Sequence, residues 1–195
     1  MRIIKINSED NVKFLKRLKW YKSIFYKNTF FKSDDRELQD FITALNIKSR
    51  KERINFIYDI SCKEIDIYFK NINFCGFKNN KCYAQQYVGC NKYNGCCRKC
   101  IYQSTKGCTT SNLTCKLFFC SEVKNRYEVP SSDYLKLIPL LTRRQKIILK
   151  HDYFSHREDV LKDLYIGSVM IFVIRLFIRV IFNLIKLAKN NIDYR

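Results

Sequence analysis

The sequence predicts a mainly α protein, a small helical domain with a central, irregular, cysteine-rich segment and a long C-terminal helix. Three observations predict it. Apolar residues recur at three- and four-residue steps behind Ser, Thr or Asp capping signals. Only 5 Gly and 2 Pro occur in 195 residues, which favours long regular elements over loops. Nine of the 10 cysteines then crowd between Cys75 and Cys120, a stretch with no Asp or Glu. The chain divides accordingly into an N-terminal helical part (1–73), the cysteine-rich segment (74–128) and C-terminal helices (129–195). With 47% apolar and 15% aromatic residues, it has enough material for one domain with a real core.

The first element predicted is an amphipathic helix over Val12–Phe31, carrying Phe14, Leu15, Leu18, Trp20, Tyr21, Ile24, Phe25, Phe30 and Phe31 and fraying near Asn28 and Thr29. Asp34 with Glu37 reads as a capping box for a short helix bearing Leu38, Phe41, Ile42 and Leu45. Ser49 with Glu52 opens a stronger helix whose inward face is Ile54, Ile57, Tyr58, Ser61, Cys62, Ile65, Tyr68 and Phe69. Cys62 is therefore expected to pack as a small apolar side chain rather than to bind a metal. Four of the five glycines lie in the cysteine segment, and Gly89, Gly95 and Gly107 directly precede cysteines, where a thiolate knuckle needs backbone freedom. After Pro130, Ser131 or Ser132 is expected to cap a short helix ending near Pro139. Thr142 with Gln145 begins the next helix. Ser155 with Glu158 begins the last, which can run unbroken to Lys189.

In that last helix, 15 of the 20 residues from Ile166 to Ile185 are large and apolar, close to a membrane-spanning length. Insertion gains about 5–9 kcal/mol from these residues and loses about 5–7 to two central arginines, Arg175 and Arg179, so the balance is near zero. Ser168, Arg175, Arg179, Asn183, Lys186 and Asn190 share a sector of about 100°. Three situations fit a wide apolar face with a narrow basic stripe: burial in the protein's own core, the membrane interface, or a span with its arginines against a partner. Over residues 164–189 an anionic membrane surface is thus one expected partner.

The 37 basic and 18 acidic residues give a net charge of +19, which favours contact with phosphate on nucleic acid or on a membrane. Met1–Trp20 carries no apolar run and no small-residue cleavage site, so no secretory leader is expected. The expected location is cytoplasmic, at the inner face of the membrane or anchored in it through the last helix. In a reducing compartment thiols stay free or bind metal, and bridging of the ten cysteines is disfavoured.

The candidate ligands are Cys75, Cys82, Cys90, Cys96, Cys97, Cys100, Cys108, Cys115 and Cys120. Zinc and iron–sulfur clusters are typically held by four thiolates, so nine suffice for two sites. Cys97 and Cys100 have the two-residue gap of a metal knuckle, and Cys115 with Cys120 forms a looser half-site. Lys78, Lys81, Lys92, Arg98, Lys99, Lys106 and Lys116 offset the charge of about −2 on a tetrathiolate zinc centre. Neighbouring cations also lower thiol pKa and so favour metal binding. Zinc fingers of the Cys2His2 kind are excluded, because His151 and His156 lie outside the segment. Gln103 occupies the position that would complete a radical-type cluster motif, and no βαβ pattern surrounds Cys97-Arg98-Lys99-Cys100 to make it a thioredoxin-like pair.

Cys96-Cys97, Cys108 and Cys115-Lys116-Leu117-Phe118-Phe119-Cys120 resemble the cysteine-cluster family described as zinc- or iron-chelating proteins. Asn94-Gly95-Cys96-Cys97 matches its GxCC-like element, and Cys115-Lys116-Leu117-Phe118 its later Cys-Arg-hydrophobic-Phe element. The leading Cys-x-x-Cys is missing, Lys116 replaces Arg, and no Arg-Pro precedes Cys115. The whole chain is also similar to uncharacterised cysteine-rich bacterial proteins. The resemblance implies zinc or iron binding and no particular reaction.

The functional expectation is a non-catalytic, cysteine-ligated metal-binding protein associated with the membrane through its last helix. Two alternatives stand beside it. One is a basic zinc module that binds nucleic acid, with Tyr83, Tyr87, Tyr93, Tyr102, Phe118 and Phe119 alternating with lysines as a stacking surface. The other is an iron–sulfur redox protein. No Ser-His-Asp set, phosphate-cradling glycine loop or carboxylate pair stands out.

Overall fold

In the computed structural model the described residues are 2–6, 29–72, 74–76, 82, 103–104, 107–108, 110–153 and 155–192. Seven helices dominate them, as the sequence predicts. Most of the expected Val12–Phe31 helix lies outside the described residues. Its last part does not: Thr29–Lys32 is a strand, β2, paired in parallel with β1 (Arg2–Lys5). The correction has a local cause. Phe30 and Phe31 alternate inside and out, with Phe31 in the core, which is the two-residue period of a strand. The amide of Asn46 seals this strand, its Oδ1 accepting from Phe31 N and its Nδ2 donating to Phe31 O, both at 2.9 Å.

A 3-10 turn (Arg36–Leu38) leads into α1 (Gln39–Asn46). The cap is Asp35, whose carboxylate accepts from Glu37 N at 2.8 Å; Asp34 instead pairs with Lys5 across the strand. Helix α2 (Arg50–Asn71) starts at Ser49, whose hydroxyl accepts from Glu52 N, in agreement with the sequence reading. Its face of Ile54, Ile57, Tyr58, Ser61 and Ile65 is buried, whereas Tyr68 turns outward. Two-residue strands β3 (Gln103–Ser104) and β4 (Gly107–Cys108) pair antiparallel. Short helices α3 (Leu113–Lys116) and α4 (Ser121–Lys124) follow.

In place of one short helix after Pro130 there are two 3-10 turns. Ser131 caps Ser132–Tyr134, and Ile138–Leu140 holds Pro139 inside it. Helix α5 (Arg143–His151) opens with the expected box, Thr142 Oγ1 accepting from Gln145 N and Gln145 Oε1 accepting from Thr142 N.

The expected single last helix is two. Helix α6 (Arg157–Ile166) ends at Gly167, which takes a left-handed φ of 63° and donates its N–H to Asp163 O at 2.8 Å. Only glycine adopts that conformation without penalty, so the helix stops there. Helix α7 (Val169–Ile192) then begins. Ser155 is not the cap of α6; His156 holds that position and Ser155 is buried elsewhere.

One hydrophobic core joins these pieces. It takes Ile6 from just after β1, Phe31 from β2, Phe41 and Leu45 from α1, Ile57 and Tyr58 from α2, Leu113 from α3, Ile148 from α5, Leu164 from α6 and Phe172 from α7. The N-terminal part and the C-terminal helices therefore share an interior. Between α2 and α6, Arg157 grips Asp59 with both ends of its guanidinium at 2.7–3.0 Å, and the Tyr165 hydroxyl donates to Asn55.

Candidate functional sites: the cysteine segment and the outward face of the last helix

The cysteine segment is pinned at both ends. Phe74 and Phe119 meet at 5.4 Å between ring centroids, edge to face, and with Val123 they form a second small core against Phe69 and Val129. Tyr127 adds another edge contact to Phe74 at 5.4 Å. Cys75 and Cys120 directly follow the two phenylalanines, so one aromatic cluster holds the backbone at the first and last candidate ligands. Cys120 itself packs against the cluster.

Just upstream of Cys115 the chain is tied into the main core. Leu113 is fully buried, and its N–H donates to Tyr58 Oη at 2.9 Å. Asn112 is buried too. Its Oδ1 accepts from Cys115 N at 3.1 Å, while its Nδ2 donates to Asp152 O and Ser155 O at 3.0 and 2.9 Å. Burial pushes the Tyr58 phenol far above its usual range, keeping it neutral in this role.

The five described sulfurs, those of Cys62, Cys75, Cys82, Cys115 and Cys120, are thiols. Cys82 is buried and Cys75, Cys115 and Cys120 are half-buried. Cys108 sits in β4 opposite Gln103. Cys90, Cys96, Cys97 and Cys100 lie outside the described residues, so the tightest knuckle does too. Among the described residues no three His, Cys, Asp or Glu side chains converge on a common point. Cys62 behaves as expected of a packed thiol: burial raises its pKa to about 12, and its Sγ faces Ser111 O at 3.8 Å.

The second candidate is α7. Its arginines point into the protein. Arg175 reaches Asp163 at 2.6 Å; Arg179 lies 3.1 Å from Asp152 and 3.5 Å from the second oxygen of Asp163. Both aspartates are almost completely buried. Ser155 donates to Asp152 and accepts from Arg179, closing the cluster. Asp152 Oδ2 and Asp163 Oδ2 are buried and accept no hydrogen bond among the described residues. Desolvation raises the Asp152 pKa, opposed by its bonds from Ser155 and Arg179. Sequence reading placed Arg175 and Arg179 on one side of the helix and missed their partners. The available signal was Asp163 itself, a carboxylate at the helical spacing of the buried Val160 and Leu164.

With the arginines inside, the apolar side of α7 is outside. Met170, Phe177 and Phe182 are 72%, 68% and 67% exposed, with Val173, Ile174 and Ile181 about half-exposed between them. At about 100° per residue the exposed apolar positions from Met170 to Ile185 cover roughly 200° of the helix surface. A helix on the surface of a water-soluble domain normally presents the reverse pattern. Even so, among the described residues no helix is long and apolar enough to cross a membrane. No protein-family model, curated protein or solved structure matches this chain.

Proposed function

We propose that this protein is a non-catalytic, cysteine-ligated metal-binding protein, its central segment holding zinc or an iron–sulfur cluster. The observation that carries the reading is the closure of the segment. The Phe74–Phe119 contact fixes Cys75 and Cys120 to one cluster, and Asn112 fixes the approach to Cys115. Closing the ends in advance lowers the conformational entropy that ligands must lose on converging. The residues that would hold the ion are Cys97 and Cys100, with their two-residue gap, together with Cys115, Cys120, Cys75 and Cys82. The donor set fits: the described members are thiols. From Cys75 to Cys120 the segment is basic, without a single carboxylate to compete. Bound there, the metal supplies folding energy to the segment.

Elemental analysis of anaerobically purified protein, with a visible spectrum, tests this. At least one equivalent of zinc, or of iron with brown absorbance, is expected, falling to background in Cys97→Ser/Cys100→Ser. Less than one equivalent of any metal in both aerobic and anaerobic preparations overturns it.

A further inference from the structure

We propose that α7 and α5 together form a docking surface for the anionic face of a lipid bilayer. Helix α7 lies in the plane of the membrane, its outward apolar side in the headgroup–acyl boundary. The inference is independent of metal binding.

Three observations lead to it. The first is the inverted helix. An apolar face roughly 200° wide, at ~100° per residue, has no counterpart in a domain that meets only water. The second is the anchoring of α7 at its middle. Arg175 and Arg179 bind Asp163 and Asp152, which are buried in the domain, so the inward side cannot leave the protein without stranding two carboxylates. A transverse orientation would drag the domain into the hydrocarbon; lying flat exposes only the side that is already bare.

The third is charge. Helix α5 packs against α7 and reads RRQKIILKH, with Arg143, Arg144, Lys146 and Lys150 exposed and no acidic residue among them. Helix α7 contains no Asp or Glu either, and Lys186 and Lys189 fall in its last turns. An apolar strip beside a row of cations complements a bilayer of anionic phospholipid, where the ring and aliphatic side chains meet acyl tails and the cations meet phosphate. A second copy of the chain fits poorly, since each copy carries +19 and would bring another basic row to the contact.

The test is flotation of the full-length protein with vesicles of phosphatidylserine and phosphatidylcholine, beside vesicles of phosphatidylcholine alone. Binding is expected to the anionic vesicles, weakening with salt. Phe177→Ser/Phe182→Ser, at two exposed positions, should reduce it about tenfold or more. Neutralising the four α5 cations to Gln should reduce it about fivefold per charge, with circular dichroism confirming that both variants fold. A photocrosslinking residue in place of Phe177 should label lipid. Absence of binding to anionic vesicles overturns the proposal, as does equal binding to both kinds. Labelling that falls on the same chain, on a second copy or on an added acidic protein instead of lipid overturns it in favour of that occupant.

Discussion

At the residue scale the informative side chains are Asp152, Asp163, Arg175 and Arg179. Two buried carboxylates and two guanidinium groups are costly to assemble, and the pairs offset that cost only while all four remain. Removing one partner is therefore worse than removing the interaction. Arg179→Met leaves Asp152 and part of Asp163 uncompensated in the interior. The expected loss is about 2–3 kcal/mol, below the ~3–5 of a fully buried pair because Arg179 keeps some solvent contact. Urea unfolding measures it. The double variant Arg179→Met/Asp152→Asn should recover part of the loss, and an unchanged midpoint in the single variant would show that the pair carries no stability.

At the element scale the break at Gly167 sets which side of α7 faces out. Inserting one alanine between Gly167 and Ser168 would turn the helix by about 100° and carry both arginines off their aspartates. A cost of about 3–5 kcal/mol is expected, the figure for breaking a buried pair, read as a fall in the urea midpoint. Replacing Ser168 by alanine, without changing the phase, should cost much less. This break also marks where sequence reading succeeded and where it stopped. Local signals were legible: Ser49 and Thr142 cap the helices they announce, because a capping hydroxyl and its partner lie within three residues. The division of the last helix was written in Gly167, but a lone glycine in a strongly apolar run is a weak local signal. The β1–β2 pairing was not legible, since it joins segments far apart in sequence and Phe30-Phe31 also suits a helix. At the cysteine segment composition named the candidate ligands, while their closure through Phe74 and Phe119 depends on contacts that no short window contains.

At the scale of the whole molecule, two core groups make stability pH-dependent in one direction. Burial raises the pKa of Cys62 from 9.0 to about 12 and raises that of Tyr58 above its usual range. Between those limits the unfolded chain releases protons that the folded protein keeps, so unfolding becomes easier as pH rises. The contribution of Cys62 is fully present below pH 9 and is lost as pH climbs toward about 12. The slope is about 1.4 kcal/mol per pH unit for each group while it lasts. The urea midpoint should drop between pH 8 and pH 10.5, and drop less in Cys62→Ser; a midpoint that holds steady contradicts the assignment. The same economy of internal charge governs what the surface offers outside. On the proposed docking surface, the guanidinium groups of α7 are neutralised by their own aspartates, so that helix would supply apolar adhesion with little long-range field, while the cations of α5 would supply the field and the salt-sensitive share of the binding. Long-range attraction to an oppositely charged surface and apolar contact with it would thus rest mainly on different helices. Ionic strength should weaken the share carried by α5 and leave the apolar share of α7 almost untouched.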